Sequence, residues 1–176
     1  MNAPRLHPAN VLFAGEKPFP ILPAVDHYAG SEKLMRKALA LQQELGPVFD
    51  LTCDCEDGAR AGAEAEHARM VVEVVNSADN LHRRVGARIH DITHAHWQAD
   101  LDILVRGAGS TLAFITLPKV RSAADAAAQI AELRRIESAC ASPQPLPLHI
   151  LIETHGALRE VWEIAALDGV ESLDFG

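Results

Sequence analysis

The sequence predicts an α/β fold, a (β/α)8 TIM barrel of which about six β-α units lie in this chain. Three observations lead there. Short β-like runs alternate with longer helical patterns. Several runs are apolar almost throughout, as in Leu-Ala-Phe-Ile-Thr-Leu at 112–117 and Leu-His-Ile-Leu-Ile at 148–152, which suits a parallel sheet buried on both faces. Polar residues stand at or just past the C-terminal ends of five runs: His27; Asp54 with Glu56 and Asp57; Arg88 with His90; Lys119; and Glu153. In a barrel those ends converge on one mouth, whereas in an open doubly wound sheet most would sit too far apart to share a site.

The first run is Ile21–His27. Leu34, Ala38, Leu41 and Leu45 then recur at the spacing of one helix face, with Ser31 to cap the start and Gly46-Pro47 to stop the end. The second run, Val48–Asp54, precedes a helix-compatible stretch at 62–76, and the third, Arg84–Asp91, precedes another at 96–105. After the fourth, Leu112–Lys119, Ser122 and Asp125 stand at capping-box spacing before Ala126, Ile130 and Leu133. The fifth run, Leu146–Glu153, is followed by a helical pattern at 156–166 and by the sixth run, Ser172–Gly176. Residues 1–29 read as an N-terminal extension with the first strand, and 30–176 as the N-terminal part of a barrel truncated before strands 7 and 8, because closure needs two more strands.

Composition narrows the function classes. The chain has 176 residues, 48% hydrophobic and 23% charged, enough for one globular core. With 24 acidic against 16 basic residues and a formal charge of -8, it lacks the electrostatic footprint of a nucleic-acid or anionic-membrane binder. No apolar stretch approaches the about 20 residues of a membrane span, no secretory signal is visible, and three cysteines (Cys53, Cys55, Cys140) do not make a disulfide framework. A cytoplasmic protein is expected.

Asp54-Cys55-Glu56-Asp57-Gly58 concentrates carboxylates after an apolar run, suiting a hard cation such as Mg2+, directly or through its waters; a solvated acidic turn is the competing reading. Arg88, within Gly-Ala-Arg-Ile-His-Asp, offers a planar fork for a carboxylate, or else a structural ion pair with an acid on an adjacent strand. Glu153 ends an apolar strand, where a carboxylate is costly without a cation beside it; the alternative is an acid stabilised at a helix N-terminus. His90, His94 and His96 lack the spacing of a zinc site and read as loop and helix-start residues, and Cys53 and Cys55 as packing residues. Gly107-Ala-Gly109 precedes a strand, the reverse of a dinucleotide loop, and no Walker loop or nucleophile elbow is present.

Together, Asp54-Cys-Glu-Asp-Gly58, Ala87-Arg-Ile-His90, Leu117-Pro-Lys-Val120, Leu151-Ile-Glu-Thr-His-Gly156 and Leu173-Asp-Phe-Gly176 resemble the citrate lyase beta-subunit and malyl-CoA lyase family of the HpcH/HpaI aldolase superfamily, from about Gly30 to Gly176. The resemblance implies a barrel assembled as a homo-trimer or hexamer, with Mg2+ at the C-terminal mouth. It implies that Glu153 ligates the metal, that Arg88 grips the substrate carboxylate, and that Glu56 and Asp57 form the acidic pair near the metal. Lys119 takes the Pro-Lys strand end as a substrate-side residue. A second metal carboxylate is expected beyond Gly176. The chain departs from the pattern at His90, where Asn is usual, at Arg121 in place of Glu, and at Cys55 in place of Leu. The implied activity is carbon-carbon cleavage, or the reverse condensation, of a β-hydroxyacyl thioester on coenzyme A or a carrier protein, yielding a 2-oxo acid and an acyl thioester. The alternatives are an aldolase acting on a free 2-oxo acid and a non-catalytic barrel fragment or subunit.

Overall fold

The computed structural model describes residues 22–140 and 144–175. Ile21, Gly176 and the extension at 1–21 lie outside the described residues. Six strands alternate with helices: β1 (Asp26–Ala29), α1 (Glu32–Leu45), β2 (Asp50–Asp54), α2 (Glu64–Val75), β3 (Val85–Arg88), α3 (Trp97–Ala108), β4 (Ile115–Leu117), α4 (Ala123–Ala139), β5 (Leu148–Leu151), α5 (His155–Arg159), α6 (Val161–Ala165) and β6 (Val170–Asp174). Every neighbouring pair is parallel and the order is β1-β2-β3-β4-β5-β6. Among the described residues this is a curled half-barrel, open between β1 and β6. The curl is tight enough that side chains of β1, β5 and β6 meet across it, since ligand atoms of Asp26, His149 and Asp174 lie within 4.8 Å of one another.

The two faces of the sheet differ in chemistry. Leu51, Cys53, Cys55, Val85, Ala87, Ile89, Ile115, Leu117, Leu148 and Ile150 are buried in the core that the helices cover. The alternate residues are polar to an extent the apolar runs did not suggest: Asp26 and Tyr28, then Asp50, Thr52 and Asp54, then Arg88, Thr116, His149 and Asp174. Register joins them laterally, Asp26 with Asp50, Asp54 with Arg88, Arg88 with Thr116, and Thr116 with His149. They form the inner face of the half-barrel.

β2 to β5 fall inside the expected runs but are shorter, whereas β1 runs two residues past His27, β6 starts two residues early, α3 extends three residues beyond 105 and the 156–166 pattern divides into α5 and α6. β1 begins five residues after Ile21, beyond Pro23, which has no N–H to donate to a ladder. Pro118 likewise ends β4 before Lys119. Ser122 caps α4 by accepting from the Asp125 N–H, and Asp125 in turn accepts from the N–H of Arg121, one residue before the cap. The buried face of α1 is not the expected one. Met35, Ala38, Leu39 and Gln42 face the sheet, while Leu34, Leu41 and Leu45 are exposed. Both sets satisfy helical spacing, and the sheet selects the one containing Met35 and Leu39. The other lies toward the open β1 edge, where Leu41 lines a groove with Val25, His27, Val48 and Phe49.

Candidate active site at the mouth of the half-barrel

β2, β3 and β4 deliver Glu56, Arg88 and Lys119 to one place. Arg88 donates from Nε and Nη2 to the two carboxylate oxygens of Asp54 at 2.8 and 2.7 Å, a bidentate pair across adjacent strands. Its Nη2 also reaches Asp57 at 2.9 Å, its Nη1 stands 2.9 Å from Glu56 Oε2, and the guanidinium lies 5.2 Å from the centre of the Tyr28 ring. Burial opposes the charge of Arg88, but the Asp54 hydrogen bonds and the charges of Asp54, Glu56 and Asp57 hold its pKa above the ordinary arginine value. Lys119 Nζ lies 2.8 Å from Glu56 Oε1, and its ammonium is held charged first by that contact.

Of the three carboxylates in the acidic turn, only Asp57 is solvated, at 70% exposure of its side chain against 5% for Glu56. Burial therefore raises the Glu56 pKa, and Lys119 and Arg88 oppose that rise. The turn passes so close to the β1-α1 connection that a Cβ on Gly58 would strike the carbonyls of Asp54 and Gly30.

Glu153 also stands at this mouth, joined through the backbone of Lys119, whose N–H donates to Glu153 Oε1 at 2.7 Å. Lys119 has φ of 48°, a left-handed conformation that lets its N–H face Glu153 while its ammonium reaches Glu56. Glu153 is exposed, so the sequence argument that its carboxylate needs a cation to offset burial does not hold. The adjacent Thr154 caps α5 by accepting from the Ala157 N–H.

One other expectation, that of His27, is corrected, while His90 lies in the loop after β3 as expected. His27 is in β1 and packs edge-on to Phe49 at 6.0 Å, outside the mouth, because the strand begins at Asp26 instead of ending near it. His90 is a buried residue whose Nδ1 is 2.6 Å from Asp100 Oδ2 and whose ring stacks on His94 at 4.0 Å. Cys53 and Cys55 are fully buried free thiols, as expected of packing residues; burial pushes Cys53 up to about 12 and Cys55 upward as well.

Sequence reasoning missed Asp54 as the anchor of Arg88, the Asp50–Arg84 pair at 2.5 Å, and the group Asp26, His149 and Asp174. The available signal was the alternation Asp50, Thr52, Asp54 against Leu51, Cys53, Cys55. Asp26 accepts from the Thr52 hydroxyl, yet burial, with Asp174 and Asp50 nearby, pushes it up to about 7.

These features define a (β/α)-barrel protein with a charged site at its C-terminal mouth. The chain belongs to the HpcH/HpaI aldolase/citrate lyase family, whose model matches residues 36–176. It is 53% identical to a citrate lyase from Burkholderia xenovorans LB400, a crystal structure it matches with a TM-score of 0.84 over 90% of this chain and 49% of that one. An L-malyl-CoA/beta-methylmalyl-CoA lyase of Cereibacter sphaeroides is 31% identical over 116 residues, 66% of this chain and 36% of the relative. The citrate lyase beta subunit of Mycobacterium tuberculosis, complexed with oxaloacetate and magnesium, shares the fold at 22% identity, with a TM-score of 0.59 over 86% of this chain and 56% of that one. The chain thus spans about half the length of these structures and about a third of that curated relative.

Proposed function

We propose that the protein is a Mg2+-dependent carbon-carbon lyase that cleaves, or forms, a β-hydroxyacyl thioester, with a 2-oxo acid as one product. The observation that carries this reading is the meeting of Arg88, Glu56, Asp57, Lys119 and Glu153 at the ends of successive strands, on a chain related to named malyl-CoA and citrate lyases. Glu153 and the buried Glu56 fit a hard cation. Both are carboxylate oxygen donors at the mouth: Glu153 is exposed and accepts from the Lys119 N–H, while the Glu56 oxygens are paired with Lys119 and Arg88. Glu153 would ligate the ion, with Glu56 and Asp57 holding its waters. Bound there, Mg2+ would supply Lewis-acid polarisation of an oxo-acid carbonyl.

The chain's own residues would do the rest. Arg88 would orient the 2-oxo acid through its carboxylate. Because Asp54 occupies one edge of the guanidinium, the solvated Asp57 is the partner placed to give way. Lys119 would favour the negative charge that develops on the thioester enolate when the carbon-carbon bond breaks.

The test is cleavage of L-malyl-CoA, read as release of glyoxylate, beside the Glu153→Gln variant. The expected result is Mg2+-dependent release from the thioester, with none from free malate, and loss of both activity and Mg2+ affinity in Glu153→Gln with the fold intact. Unchanged Mg2+ affinity in that variant would reject the ligand role, and turnover of free hydroxy acid alone would favour the aldolase.

A further inference from the structure

The inner face holds a second group of ligand-type side chains, inside the curl between the first and last strands. Among the described residues, it is the one group of three whose ligand atoms converge. His149 is nine-tenths buried, with 4% of its side chain exposed, and packs flat on Phe114 with ring centroids 3.8 Å apart. Its Nε2 lies 3.3 Å from Glu171 Oε2, so a proton there leaves Nδ1 as a bare lone pair. Nδ1 makes no hydrogen bond and faces Asp174 Oδ2 at 3.7 Å, and that oxygen has no hydrogen bond either. Two buried acceptors opposed in this way require a proton or a cation between them. Asp26 supplies a second carboxylate in the same cavity, which Tyr28 also lines.

We propose that Asp26, His149 and Asp174 form a binding site for a divalent transition-metal ion, separate from the Mg2+ site at the mouth. One imidazole nitrogen with two carboxylates suits Zn2+, Mn2+ or Co2+ better than Mg2+, which prefers oxygen alone. Ligands of one such ion stand roughly 3–4 Å apart. The Nδ1–Asp174 separation of 3.7 Å already lies in that range, and rotation of side chains closes the remainder of the 4.8 Å spread. The carboxylate of Glu171 on the far ring nitrogen orients the imidazole, as partners of metal-bound histidines do.

The experiment strips the protein with chelator and titrates it with Co2+ and then Zn2+, following visible d–d absorption and calorimetric heat. With Mg2+ in excess to fill the mouth, the expected result is one equivalent bound, with affinity falling at least about tenfold in His149→Gln and in Asp174→Asn and unchanged in Glu153→Gln. Circular dichroism checks each fold. Should His149→Gln fail to fold, Asp174→Asn at the open edge decides alone. Absence of stoichiometric binding, binding that survives in the folded variants, or loss of binding in Glu153→Gln would each overturn the proposal. Because Glu153 and L-malyl-CoA turnover test the mouth separately, failure here leaves the lyase reading standing, and the reverse also holds.

Discussion

Arg88 shows how much one residue's role depends on its neighbours. Its spacing in the sequence allowed either a substrate fork or an ion pair with an adjacent strand, and the structure supplies that pair in Asp54 while adding Glu56 and Asp57. Arg88→Lys keeps the charge but loses the fork. It should cost about 1.5–3 kcal/mol of stability in denaturant unfolding, and should also weaken 2-oxo acid binding in the folded fraction. Binding that stays at the wild-type level would remove the substrate role and leave the ion pair. Cys53 permits a simpler check. With its thiol buried and pushed up to about 12, it should resist alkylation at neutral pH until the protein unfolds, together with Cys55, whereas the partly exposed Cys140 should label in the native state. Mass mapping of labelled peptides reads the order.

At the scale of elements, α4 is the helix whose sequence signals and structure agree throughout: Ser122 caps it, and Ala126, Ile130 and Leu133 are buried. Ser122→Ala should cost about 1 kcal/mol in unfolding free energy. α1 was legible in extent but not in facing, because two apolar stripes satisfy the same period and only the sheet distinguishes them. Gly156 joins α5 to the mouth. A Cβ there would collide with the carbonyl of Arg121, so Gly156→Ala should displace the loop carrying Lys119 and reduce turnover at little cost in helix content. A variant with normal kinetics would show that this close approach does not position Lys119.

The described residues form a half-barrel with two free strand edges, and an apolar flank of Val25, Leu34, Leu41, Leu45 and Val48 lies exposed beside one of them. Open edges and contiguous apolar surface favour association. The 176-residue chain on its own should therefore self-associate in a concentration-dependent way, and Leu41→Lys with Leu45→Glu should reduce that association in light scattering.

What the sequence determined by itself was the order of elements, the parallel sheet and the strand ends that carry Glu56, Arg88, Lys119 and Glu153, because periodicity and the residues bounding each run are local properties of the chain. The tertiary structure decided which residues pair. Asp54 meets Arg88 through a register set across 34 residues, Lys119 links Glu56 to Glu153 through one left-handed residue, and Asp26 finds His149 and Asp174 only when the sheet curls. Those contacts depend on register and curvature, which arise when strands distant in sequence pack side by side.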